Sequence, residues 1–229
     1  MEGAEKKIFN VIQNKNQKQK SKQKENKMEI YLIRHGETKW NHAHLLQGQS
    51  DIELNEYGRE LAGITGRALE EISFDVIFSS PLMRAFETAN LIRGHRNIPI
   101  IRDNRLKELC FGDYEGKNVE ELMQNEQDPF HFFFSSPERY RAPENGETLE
   151  ALCMRTKNFL EEQIETNEKK FERVMIVAHA ACNASIRGYV QGWGLDRFWD
   201  GKYQKNCCVS KIALQSNHYE ILEEAKIYY

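Results

Sequence analysis

The run Ile30-Tyr31-Leu32-Ile33, followed at once by Arg34-His35-Gly36-Glu37, constrains this chain more than any other feature. Four consecutive apolar residues bounded by a glycine turn read as a short buried strand. The arginine and histidine then stand at the carboxyl end of that strand, where open α/β sheets place their ligands. Arginine is permanently charged and offers a planar fork of donors suited to phosphate. Histidine is the side chain best able to act as nucleophile and proton carrier near neutral pH. The pair points to covalent attack on a phosphoryl group. The plainer alternative is a strand that ends in a solvated Arg-His turn, and partners elsewhere in the chain decide between the two.

Such partners are present. Thr38-Lys39-Trp40-Asn41 and Leu46-Gln47-Gly48 supply donors close behind the first strand. A second apolar run, Phe74-Asp75-Val76-Ile77-Phe78, leads into Ser79-Ser80-Pro81-Leu82-Met83-Arg84-Ala85, with Arg84 in the first turn of a helix. Leu106-Lys107-Glu108-Leu109-Cys110-Phe111-Gly112 places a carboxylate before a glycine turn, and Val174-Met175-Ile176-Val177-Ala178 ends in His179. Strands are expected at 29–33, 74–78, 98–101, 173–178, 208–214 and 218–222. Helices are expected at 56–71, 82–93, 118–126, 147–168 and 181–191, the fourth entered through the turn Asn145-Gly146-Glu147-Thr148. This alternation argues for a sheet covered by helices on both faces.

With these four segments in place, the sequence resembles the histidine phosphatase superfamily, also called the phosphoglycerate mutase-like fold, from about Met28 to the strand near Ile221. The resemblance implies an α/β three-layer sandwich: a mostly parallel central sheet, helices on both faces and a small helical cap insertion at 113–147 over the site. It implies that His35 is the nucleophile, and that Arg34, Arg84 and His179 gather the phosphoryl oxygens, where charge spreads during transfer. Asn41, Gln47 and Gly48 are further candidates for binding phosphate or substrate. Glu108 matches the acid/base of the pattern Leu-x-Glu-x-x-Phe-Gly, protonated to release the alcohol and then ionised to activate water. Asp113, Glu115 and Glu37 are rival carboxylates. The family usually carries glycine after the second histidine; here Ala180 stands there, retaining its N–H at a helix N-terminus that favours an anion.

The activity so implied is that of a metal-independent, acid-type phosphatase, a phosphoric monoester hydrolase needing no cofactor and acting on small phosphorylated metabolites. A phosphoglycerate mutase is the alternative enzyme: the short insertion argues against it, and Arg139 and Arg141 keep it open. A catalytically inactive phosphate- or protein-binding relative is the alternative of another class. The aromatic run Phe130-His131-Phe132-Phe133-Phe134 either lines a pocket for an apolar leaving group or packs the cap.

Composition separates a domain at 28–229 from an unusual beginning. Residues 1–27 hold eight lysines against three glutamates, a balance of +5 in a chain whose net charge is −3. Low hydrophobicity and biased polarity predict a disordered tail there, and Met28 reads as an original start preceded by an extension. No apolar stretch approaches the ~20 residues that span a bilayer. The tail lysines could serve a nucleic-acid or membrane surface, but a solvated tail is the plainer reading. The partner the resemblance implies is a small-molecule phosphate ester, with neither nucleic acid nor membrane involved, and a cytoplasmic location is expected. Five cysteines (Cys110, Cys153, Cys182, Cys207 and Cys208) without Cys-x-x-Cys spacing fit reduced, mostly buried thiols. His42 and His44 lack the third ligand a metal site needs.

Overall fold

Strand β1 (Met28–Arg34) is buried along nearly its whole length because both faces of the sheet are covered. Alternate side chains point to opposite faces of a strand: Ile30 and Leu32 enter one hydrophobic core, Tyr31 and Ile33 the other. The computed structural model describes residues 27–229, so the expectation of a disordered tail falls almost wholly outside the described residues. After β1 come a single turn α1 (Lys39–His42), α2 (Glu56–Ala68), β2 (Val76–Ser79), α3 (Met83–Arg93) and β3 (Ile100–Arg102). Two short helices, α4 (Val119–Gln124) and α5 (Phe132–Ser135), occupy the expected insertion. They are followed by α6 (Leu149–Phe159), β4 (Arg173–Ala178), α7 (Ala180–Gln191), β5 (Val209–Gln215) and β6 (His218–Lys226).

The sheet order is β3-β2-β4-β1-β5-β6. The first four strands in sequence are mutually parallel, whereas β5 pairs antiparallel with both β1 and β6. On one face, Leu149, Leu152 and Phe159 of α6 and Ala181 and Ala184 of α7 pack on Val174 and Ile176. On the other, Ala85, Ala89 and Ile92 of α3 pack on Ile77, Met175 and Val177. The expected mostly parallel, helix-covered α/β sheet is the observed architecture. No helix of the described residues is long and apolar enough to cross a membrane. All five cysteines are free thiols, and Cys182, Cys207 and Cys208 are buried.

The element boundaries differ in instructive ways. The second strand begins at Val76 rather than 74 because Asp75 turns its carboxylate onto the N–H groups of Glu172 and Arg173, fixing the start of β4. The long helix expected at 147–168 is regular only over Leu149–Phe159; a π-helical turn, Leu160–Ile164, then widens it. Phe159, Leu160 and Ile164 are all buried across this turn and belong to one hydrophobic core. Strand β6 runs to Lys226, four residues past the expected end, because its pairing with β5 extends to Val209↔Lys226.

Candidate active site

Three neighbouring parallel strands, β2, β4 and β1, bring the site together. Their register sets Arg34 beside Ala178 and Ser79 beside Val177, so the segments leaving all three strands emerge at one edge. His35 follows β1 and His179 follows β4, one strand away, and their ring centroids are 5.0 Å apart. That is close to the spacing of adjacent strands, about 4.8 Å. Arg84 enters from the first turn of α3 after β2.

The His35 ring is 3% exposed. Its Nδ1 lies 2.6 Å from the carbonyl oxygen of Gly36, which can only accept, so Nδ1 carries the proton and Nε2 is left free. Burial, together with the guanidinium groups of Arg84 and Arg34, holds the imidazole well below the usual histidine range. A neutral ring with an unprotonated Nε2 is the form a nucleophile needs. His179 is fully buried behind His35. Its Nε2 pairs with Ser80 Oγ at 2.8 Å, while its Nδ1 has no hydrogen-bond partner. Burial and the Arg84 charge keep this ring, too, well below the usual range.

The arginines are held by backbone carbonyls. Arg34 donates through Nη1 to the Gln204 carbonyl at 2.6 Å. Arg84 donates to the carbonyls of Ser50 (2.9 Å) and Gly48 (2.7 Å), and burial lowers its pKa to about 10. The Nε of each is buried and unpaired. The 48–50 loop is fixed in turn by Glu115, whose carboxylate accepts from the N–H groups of Gln49 and Ser50 and from Ser50 Oγ. Gly48 has φ of 52°, and a Cβ there would lie 2.0 Å from Glu115 Oε1, so the position requires glycine. Gln47 accepts from Thr38 Oγ1, and Asn41 accepts from the N–H of Thr38, leaving its amide nitrogen without a partner among the described residues.

Glu108 is 8% exposed and sits at the N-terminus of α7. Its carboxylate accepts from the N–H groups of Leu109 (2.9 Å), Ala181 (3.2 Å) and Cys182 (3.0 Å). The helix N-terminus expected to attract phosphate is therefore already occupied by the protein's own carboxyl group. Ala180 borders the cavity with an ordinary negative φ, so alanine fits where the family usually has glycine. Of the rival carboxylates, Glu115 is the loop anchor just described and Asp113 accepts from Asn145. Glu37 borders the cavity but is tied to Asn55 Nδ2 at 2.7 Å.

These groups surround a cavity of about 570 Å³. Arg34, His35, Asn41, Gln47, Gly48 and Arg84 line its floor with Glu108. Of the residues expected to bind phosphate or substrate, His179 is not among those lining the cavity, and neither are the rival carboxylates Asp113 and Glu115. The insertion contributes Val119, Phe133 and Phe134, whereas Arg139 stacks on Phe132 and Arg141 bonds the carbonyls of Glu138 and Tyr140. Neither of those arginines reaches the cavity. Sequence reasoning missed Arg187, Gln204 and Asn206, which also line it. Asn206 Nδ2 donates to the His35 carbonyl at 3.0 Å, and Asn183 Nδ2 donates to Gln204 Oε1 at 3.0 Å. One signal was available: His179, Asn183 and Arg187 recur every fourth residue, the spacing of one helix face.

A strand-end histidine and arginine thus share one cavity with Arg84 and the Glu108 carboxyl group. The model of the histidine phosphatase superfamily (branch 1) matches residues 30–226, and the chain belongs to that family. It is 31% identical over 172 residues to phosphoserine phosphatase 1 of Hydrogenobacter thermophilus, covering 75% of this chain and 80% of that protein. It is 35% identical over 154 residues to a 2,3-bisphosphoglycerate-dependent phosphoglycerate mutase of Cytophaga hutchinsonii, covering 66% and 71%. Among solved structures, Bacillus stearothermophilus YhfR superposes with a TM-score of 0.80 at 31% identity, covering 87% of this chain and 98% of that one.

Proposed function

We propose that the chain is a phosphomonoester hydrolase that passes the phosphoryl group through Nε2 of His35, using no metal. The observation that carries this reading is the His35 ring: Nδ1 donates to the Gly36 carbonyl, Nε2 is free, and two guanidinium groups disfavour the protonated form. Attack of Nε2 on phosphorus forms the N–P bond as the ester P–O bond breaks, with Arg34 and Arg84 neutralising the oxygens. Glu108 gives the departing alkoxide its proton, then accepts one from the water that cleaves the N–P bond. His179, behind His35, acts through its neighbour's position rather than from the cavity wall.

A phosphoglycerate mutase reading rests on the Cytophaga relative. Hydrolysis is favoured because the insertion's two arginines turn away from the cavity. The test is phosphate release from p-nitrophenyl phosphate after exhaustive chelation, beside isomerisation of 3-phosphoglycerate primed with 2,3-bisphosphoglycerate. Release with little isomerisation, and loss of both release and acid-labile phosphate labelling in His35→Ala, is the expected result. Isomerisation dominating release would establish the mutase. Activity lost to the chelator and restored by a divalent ion would overturn the metal-free mechanism, and no turnover of either kind would leave a binding protein.

A further inference from the structure

The segment 201–207 runs from His35 along α7 to a second cationic group. At one end, the N–H of Cys207 donates to the Arg34 carbonyl and Asn206 holds the His35 carbonyl. In the middle, Gln204 meets Asn183, and at the far end Arg187 Nη1 donates to the Lys202 carbonyl at 3.3 Å. Arg187 lies about 9 Å along the helix axis from Ala181, at 1.5 Å per residue. It is 3% exposed yet borders the cavity together with Lys202 and Gln204. Gly201 makes room for this arrangement: with φ of 92°, a Cβ there would lie 2.7 Å from Arg187 Nη1 and 2.3 Å from Glu224 Oε1.

Two observations point to a ligand. Gln204 Nε2 and Arg187 Nε are buried donors with no partner, and such groups are rare unless something accepts from them. The local charge is also unbalanced: Arg187 pairs with Glu224, while Lys202 has no ion-pair partner among the described residues. Two cations and one carboxylate leave one positive charge at the end of the cavity remote from His35. That balance matches a monoanion rather than a dianionic second phosphate. Between the two ends, Phe133, Phe134 and Trp199 line the wall.

We propose that Arg187 and Lys202 form a carboxylate subsite, so that the preferred esters carry a carboxylate remote from the phosphate bound at His35. This rests on the phosphatase reading for the identity of the phosphate end. The test compares two matched pairs: glycerol 3-phosphate with 3-phosphoglycerate, and phenyl phosphate with 4-carboxyphenyl phosphate. In each pair the ratio of kcat/KM, carboxylated over neutral, is the readout, so general losses cancel. In the native protein the ratio should reach at least about tenfold for one pair, the scale of a charge-assisted hydrogen bond. It should fall toward one, chiefly through KM, in Lys202→Met and in the double variant Arg187→Met with Glu224→Met, which avoids stranding a buried carboxylate. A ratio near one in the native protein, or one unchanged in both variants, overturns the subsite. The same esters titrated calorimetrically into His35→Ala, with and without Lys202→Met, separate the two readings. Absent turnover in the native protein with the carboxylate preference intact in binding refutes the phosphatase alone; absent preference in binding refutes the subsite.

Discussion

His35 and Glu108 are both polar groups taken out of water, but the protein treats them oppositely. The His35 ring is kept neutral by burial and by two cations; Glu108 is surrounded by backbone donors at a helix end. In the proposed mechanism, Glu108→Gln removes the proton carrier and turns an NH₂ group toward N–H donors that need an acceptor. Alkyl phosphates should lose roughly 10²–10⁴-fold in kcat, whereas an activated aryl ester should still phosphorylate His35, because its leaving group needs little protonation. Equal losses for both ester types, in burst experiments, would remove Glu108 from the role. The histidines also set a pH dependence. Both folded imidazoles titrate well below the unfolded value of about 6.5. Above that value neither state is protonated and the fold has its full stability. As pH falls below it, the unfolded chain takes up protons that the fold refuses, so stability is lost toward the depressed folded values. Tm should therefore drop between pH 7.5 and 5.5, less steeply in His179→Asn; a rise over that interval would contradict the neutral pair.

At the scale of elements, the insertion both borders the cavity and packs into the core. Phe133 is 2% exposed and packs with Phe111, Phe130, Tyr140 and Trp199, while Phe134, one residue on, is 40% exposed at the cavity. The aromatic run thus packs the insertion chiefly through Phe130 and Phe133, while Phe133 and Phe134 also border the cavity. Phe133→Ala should cost about 3–5 kcal/mol and lower Tm by an amount on the order of 10 °C. Phe134→Ala should leave Tm within a few degrees and raise KM for aryl esters more than for small alkyl esters. A thermal scan and one set of saturation curves decide this, and a larger Tm loss in Phe134→Ala than in Phe133→Ala would mean that the packing assignment is inverted.

At the scale of the whole molecule, the described sheet begins at β1, and the dispensability of the residues ahead of it is a testable expectation. Met28 is fully buried and pairs with Leu214, whereas Lys27 contributes an exposed ion pair to Glu220 of a kind worth under about 1 kcal/mol. A chain starting at Met28 should therefore match the full chain in Tm within about 2 °C and in kcat/KM on a small ester within about twofold. A large fall in either would show that residues 1–27 pack on the domain or shape its site.

Local chemistry determined much of this protein. Apolar runs specified the parallel strands, because four to six buried residues bounded by turn signals have few other solutions. Arg34, His35 and His179 were legible because they follow such runs at once, and Arg84 because a Ser-Ser-Pro turn after the second run leads into its helix. Glu108 was legible only through its Leu-x-Glu-x-x-Phe-Gly setting, and what holds it, the amides of Ala181 and Cys182, lies more than seventy residues away. Of the wall from Asn206 to Arg187, only the helical spacing of Asn183 and Arg187 behind His179 was legible. The polar residues of 202–206 carry no periodicity, and they reach His35 only because β5 docks antiparallel beside β1. Strand order is a long-range choice, made by which apolar faces cover one another. It decided which polar side chains share a cavity, and it placed His179 behind His35 rather than at the wall.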